Sequence, residues 1–110
     1  MTAPKRPAAY IRTAAGSDAG ALTREHQAVT EAARQRGWPA PTVYADDGPD
    51  LADRYGKALD RLEAAIVAGR HDALLLAGPG VLRGGPMLLM RLLLRCTKNG
   101  VSVELRGLCA

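Results

Sequence analysis

The segment from Ala8 to Gly16, AAYIRTAAG, decides how the rest of the chain is read. With Pro7 in front, PAAYIR (7–12) is a short apolar run of strand length, the pattern of a strand buried on both faces. It delivers one cation, Arg12, to its carboxyl end. The loop that follows holds Thr13, Ala14, Ala15 and Gly16, so a charge arrives where a reacting group is expected and a methyl group comes next. A strand buried on both faces belongs to a parallel sheet covered by helices, which predicts alternation of helix and strand downstream.

The chain carries that alternation. SDAG (17–20) is a turn cluster, and ALTREHQAVTEAARQRG (21–37) places Leu22, Val29 and Ala33 at helical spacing with Gly37 as a stop. TVYA (42–45) is strand-like and runs into the turn-rich DDGPD (46–50). GKALDRLEAAIVAG (56–69) puts Leu59, Leu62, Ile66 and Val67 on one helical face and stops at Gly69. DALLLA (72–77) is a continuous apolar run, and GPGVLRGG (78–85) a glycine-rich loop. Pro86 suits the first turn of a helix that MLLMRLLLRCTKN (87–99) continues to Gly100. VSVEL (101–105) alternates as a fourth strand. Right-handed crossovers between such units give a parallel sheet with helices on both sides. The fold class expected is a small three-layer α/β domain with a mainly parallel four-stranded sheet.

The 110 residues form one domain with a single core, and the absence of Phe leaves that core to Leu, Val, Ile, Ala and Met. The formal charge of +4 permits a nucleic-acid partner without requiring one. Cys96 and Cys109 have no CxxC spacing. Together with an opening, MTAPKRPAA, that lacks a secretory apolar core, they are expected to be free thiols in a reducing cytoplasm. The Leu-rich run is broken by Arg91 and Arg95 and is too short for a bilayer. The weight of Ala, Arg, Leu and Gly points to a high-GC bacterial genome. His26 and His71 have no Cys or carboxylate at metal-binding spacing, so no metal or cofactor is expected. Trp38, at a helix exit, is expected to pack locally.

In open parallel sheets ligands collect beyond the carboxyl ends of the strands. The first strand brings Arg12 there, the second Asp46 and Asp47, the third the loop holding Arg83, and Arg54 opens the helix between them. Three guanidinium groups and a carboxylate facing one crevice would suit a phosphate-like anion. Singly, each has a plain reading: a solvated charge, an Asx turn at Asp46-Asp47-Gly48, a flexible connection at GPGVLRGG, which lacks the Lys-Ser/Thr of a P-loop.

The order of these residues resembles the N-terminal catalytic domain of the serine recombinases, the resolvase and invertase family. The family's opening strand reads Tyr-x-Arg-Val-Ser, and this chain has Tyr10-Ile11-Arg12-Thr13-Ala14. LTREHQ, ending at Gln27, stands where the family has Leu-Glu-x-Gln. VYADDG carries Asp46 at the second strand's end, Asp53-Arg54 matches an Asp-Arg at a helix start, and Gly100-Val101-Ser102-Val103 matches a closing Gly-Val-x-Val. The family's Asp-Arg-Leu-x-Arg is replaced by Pro79-Gly80-Val81-Leu82-Arg83. The resemblance spans nearly the whole chain.

In that family a serine hydroxyl attacks a DNA phosphodiester while arginines neutralise the phosphate. Matched by position, the nucleophile is Ala14, and the Asp and first Arg of the third motif fall on Pro79 and Gly80. What the resemblance retains is Tyr10, Arg12, Asp46, Arg54 and Arg83, with Arg12, Arg54 and Arg83 as the expected contacts to an anion or DNA phosphate. Thr13 and Ser17 are the nearby hydroxyls; Thr13 would point away from Ala14 by strand alternation. The resemblance therefore implies a pseudo-enzyme. The family's long dimerisation helix and DNA-binding domain would begin about where the chain stops, at ELRGLCA.

PMLLMRLLLRCTKNG (86–100) is apolar around most of its circumference. One reading buries one side and tolerates surface leucines. The other makes Met87, Leu88, Met90, Leu92 and Leu94 an interface with a second copy or a partner protein, because large exposed apolar patches are unusual on monomers. Three functions stay open: a DNA-associated or regulatory interaction module without strand cleavage, a protein-interaction or dimerisation domain with no nucleic-acid role, and an enzyme or small-anion binder using Thr13, Ser17 or the glycine-rich loop.

Overall fold

The computed structural model describes residues 5–13, 19–47, 57–77 and 85–106. Their order is β1 (Pro7–Thr13), α1 (Ala19–Gln35), β2 (Thr42–Asp47), α2 (Lys57–Val67), β3 (Ala73–Ala77), α3 (Gly85–Lys98) and β4 (Ser102–Arg106). All strand pairs are parallel, in the order β2-β1-β3-β4. The chain leaves β1 sideways for β2, then crosses over to β3 on β1's other flank. The direction of winding thus reverses between β1 and β3, and the crevice at their carboxyl ends is where such sheets place ligands.

Strand alternation sorts the core into two layers. Ala8, Tyr10, Leu74 and Leu76 face α2 and α3, where they meet Ala58, Leu59, Leu62, Ile66, Leu88, Leu92 and Cys96. Ala9, Ile11 and Leu75 face α1 and meet Val29, Ala32 and Ala33. The three-layer expectation holds. Alanines on α1 let that helix lie close to the sheet, and Trp38 closes the layer from the side, with Lys5 and Arg36 each about 6 Å from its ring centre.

All three helices end at the glycines expected. Gly37, Gly69 and Gly100 have φ of 73°, 75° and 70°, the left-handed region that favours a residue without Cβ. Each makes the paired Schellman bonds, for example Gly37 N–H to the Arg34 carbonyl and Trp38 N–H to the Ala33 carbonyl, at 3.0 and 2.9 Å.

Four apolar side chains lie elsewhere than expected. Leu22, though aligned with Val29, is 43% exposed, because α1 runs roughly 25 Å at 1.5 Å per residue and overhangs the short strands beneath it. Val67 is exposed: with Ile66 turned inward, the next residue rotates about 100° and leaves the buried arc of α2. Leu88 and Leu92 are fully buried against the sheet, so they are core residues and not interface residues. They form one stripe with Cys96 at four-residue spacing, which puts Met87, Met90 and Leu94 on the outside.

The buried carboxylate of Glu63 joins the two helices on that side. Arg91 of α3 forks onto it at 2.9 and 2.6 Å, and Arg95 reaches it at 3.6 Å. Arg36, just past α1, pairs with Glu104 of β4 across the opposite face. No helix among the described residues is long and apolar enough to cross a membrane.

Candidate functional site

Parallel register puts Arg12 of β1 beside Asp46 of β2 and Tyr10 beside Tyr44. Residues two apart on a strand share a face, so Tyr10 and Arg12 both project under α2. The Arg12 guanidinium donates to the Tyr10 hydroxyl at 2.9 Å, and that hydroxyl donates to Asp46 Oδ2 at 2.8 Å. The same carboxylate accepts the backbone N–H groups of Ala58 and Leu59, both at 3.0 Å. A continuous polar chain therefore runs from a cation on β1, through a phenol, to an anion on β2 and into the first turn of α2.

Each link has a physical reason. The opening N–H groups of a helix have no partner within it and carry its positive pole. Asp46 meets both needs from a neighbouring strand, as a cap supplied over a sequence distance of 12 residues. Tyr10 is fully buried, and a buried phenol without an acceptor is costly. Burial first, then the hydrogen bond to Asp46 and its negative charge, hold the phenol's pKa well above its ordinary value, while Arg12 pulls the other way. The hydroxyl thus keeps its proton and can donate to Asp46 while accepting from Arg12.

Arg12 is itself 1% exposed. The expectation was a cation open to a phosphate; its place is beneath the surface at the mouth of β1. A charge so buried needs compensation, and Asp46 provides it through the phenol. From that depth Arg12 holds the Tyr10 hydroxyl in place by donating to it.

Tyr10, Arg12 and Asp46 are therefore brought together. Arg54, Arg83, Ala14, Ser17, Pro79 and Gly80 lie outside the described residues, as does the side chain of Thr13. Among the described residues no group of three or more His, Cys, Asp and Glu could hold a metal ion.

Two polar clusters were not foreseen in the sequence. Glu63 sits on the buried face of α2 among Leu59, Leu62 and Ile66, and the signal that could have found it is Arg91 and Arg95 at four-residue spacing on the following helix. His71, at the opposite end of the sheet, has Nδ1 3.3 Å from the Arg6 carbonyl and Nε2 2.9 Å from the Tyr44 hydroxyl. A carbonyl only accepts, so Nδ1 carries the proton and Nε2 accepts from Tyr44. Burial is the main cause that lowers the His71 pKa. Asp72 ties the same end together by accepting the Arg6 N–H at 2.8 Å. Cys96 is a core residue whose thiol is pushed up to about 11, by burial first and then by the charge of Glu63.

No protein-family model and no curated protein matches the chain. Solved structures do match. The C-terminal catalytic domain of ISC1926 TnpA, an IS607-like serine recombinase, superposes with a TM-score of 0.75 at 20% identity, over 91% of this chain and 68% of that one. The N-terminal catalytic domain of TP901-1 integrase superposes with a TM-score of 0.68 at 23% identity, over 94% of this chain and 77% of that one. The superpositions cover most of this chain, whose parallel sheet in the order β2-β1-β3-β4 is flanked by one helix on one face and two on the other. The chain has the fold of a serine-recombinase catalytic domain.

Proposed function

We propose that this domain is a DNA-associated interaction module that does not cut the strand. The observation that carries the reading is the intact Arg12–Tyr10–Asp46 chain at the mouth of β1, two residues before a position that holds only Ala14. An alanine methyl cannot attack phosphorus, and losing a covalent nucleophile removes orders of magnitude that neighbours do not restore additively. Pro79 and Gly80 carry no charge to steady a developing oxyanion. What stays is a net charge of +4, with Arg54 and Arg83 retained in the sequence after the second and third strands, which supports attraction to a phosphate backbone.

Fluorescence anisotropy with labelled duplex DNA across a salt series tests this. Binding at low salt that weakens steeply as salt rises supports it, since each neutralised phosphate releases a counterion. Absence of binding even at low salt removes nucleic acid from the account.

A second reading, a protein-interaction domain with no nucleic-acid role, is favoured by the exposure of Met87, Met90 and Leu94 along α3. Partner binding that is unchanged by Arg54→Ala and Arg83→Ala, in a chain that ignores DNA, would select it.

A further inference from the structure

We propose that the outward face of α3 docks an acidic amphipathic helix of a different protein, rather than a second copy of this chain. The inference rests on reading α3 as a contact face and is independent of DNA binding. Met87, Met90 and Leu94 are 67%, 56% and 58% exposed. They form one stripe, because residues three, four and seven apart share a helix face. Arg91, Arg95 and Lys98 flank it, and the six side chains line a groove of about 320 Å³. The opposite face, Leu88, Leu92 and Cys96, is anchored in the core, so α3 cannot roll to hide the stripe. Exposed methionines beside leucine make an adaptable surface of the kind that receives helices.

Charge decides the occupant. Among the described residues the groove has three cations along one flank and no carboxylate in its lining. Glu63, 8% exposed behind the groove, pairs with Arg91 and Arg95 and offsets one of the three charges, so the flank keeps a surplus of positive charge. A two-fold dimer would set this face against itself. With the two α3 helices antiparallel, the basic flanks would lie side by side; with them parallel, each would face Met90 and Thr97. Neither arrangement sets a carboxylate from the groove's described residues against the cations, and facing like charges disfavour a partner. Duplex DNA would answer the cations but leave the apolar stripe without a match. A helix with apolar residues at i, i+3 or i+4 and i+7, and Asp or Glu along one flank, answers both.

The test is selection from a displayed library of helical peptides of about 16 residues, roughly 24 Å long at 1.5 Å per residue, against the whole chain. Enriched sequences should carry that apolar pattern with acidic flanks. Leu94→Asp should weaken them about tenfold or more, as expected for a central anchor. Lys98→Glu should weaken them too and enrich Lys- or Arg-flanked peptides instead; both side chains are exposed, and circular dichroism confirms that the variants fold. No enrichment, neutral or basic winners, or winners indifferent to Leu94→Asp would overturn the inference. Light scattering that shows a dimer abolished by Leu94→Asp would also overturn it, while keeping α3 as a contact face. Capture of duplex DNA lost in Lys98→Glu would assign the face to nucleic acid and overturn it as well.

Discussion

Replacing Asp46 with Ala should be among the most damaging single changes in this protein, although the residue is only partly buried. The carboxylate has three donors: two backbone N–H groups of α2 at 3.0 Å and the Tyr10 hydroxyl at 2.8 Å. Losing a helix cap costs about 1 kcal/mol. Leaving a buried phenol without its acceptor adds about 1–3 kcal/mol, for about 2–4 kcal/mol in all. That is a large part of the roughly 5–15 kcal/mol that holds a domain of this size together. Urea unfolding followed by circular dichroism measures it, with an unchanged slope confirming that only stability has moved. Asp46→Asn keeps one oxygen acceptor and should cost less. Tyr10→Phe combined with Asp46→Ala should be less damaging than the sum of the single changes, by about 1 kcal/mol, because both remove the same bond. A wild-type midpoint for Asp46→Ala, or strict additivity with Tyr10→Phe, would refute the idea that one chain of hydrogen bonds joins β1 to α2.

The α2–α3 clamp should respond asymmetrically. Arg91→Ala leaves a buried carboxylate without its fork and should cost about 2–3 kcal/mol, whereas after Glu63→Ala the half-exposed arginines can turn to water and the loss should be smaller; urea midpoints of the two variants decide. His71 is held neutral by burial, so its folded pKa lies below the unfolded value of about 6.5. Above that pH neither state binds the proton. As pH falls through it, the unfolded chain binds first, and stability drops until the folded pKa is passed. Midpoints between pH 8 and pH 5 should fall in the wild type and flatten in His71→Gln. Cys96, with its pKa near 11 and no exposed surface, should react with a thiol reagent at pH 8 only as fast as the chain opens; labelling at the rate of a free thiol in the folded protein would contradict this.

The parts of this fold that were legible in the sequence are those set by the backbone. Glycines at 37, 69 and 100 mark helix ends because the left-handed cap excludes most side chains. The apolar runs at 7–12 and 72–77 mark central strands because both of their faces are covered. Leu22 was misplaced because periodicity gives a direction around a helix but not the extent of the sheet below it, and Val67 because it lies about 100° around the helix from Ile66 and falls outside the buried arc. On α3, apolar nearly all round, no sequence pattern could tell Leu88 and Leu92, which face the sheet, from Met87 and Leu94, which face water. At the site, Arg12 and Asp46 were legible from their positions at strand ends, and Tyr10 from the resemblance of Tyr10-Ile11-Arg12 to the family's opening strand. Their connection was not: a cap supplied to Ala58 and Leu59 from another strand leaves no local signature, and the burial of Arg12 depends on what packs above it.

The most direct test of the central claim, association with DNA without strand cleavage, is denaturing electrophoresis of the chain after incubation with end-labelled duplex DNA at low salt, where binding is strongest. The account predicts that all label leaves the protein once it is denatured, in the wild type and equally in Ala14→Ser, because Pro79 and Gly80 still lack the charges that the chemistry requires. Label that stays covalently attached to the wild-type chain, at Thr13, Ser17 or any other hydroxyl, would contradict it.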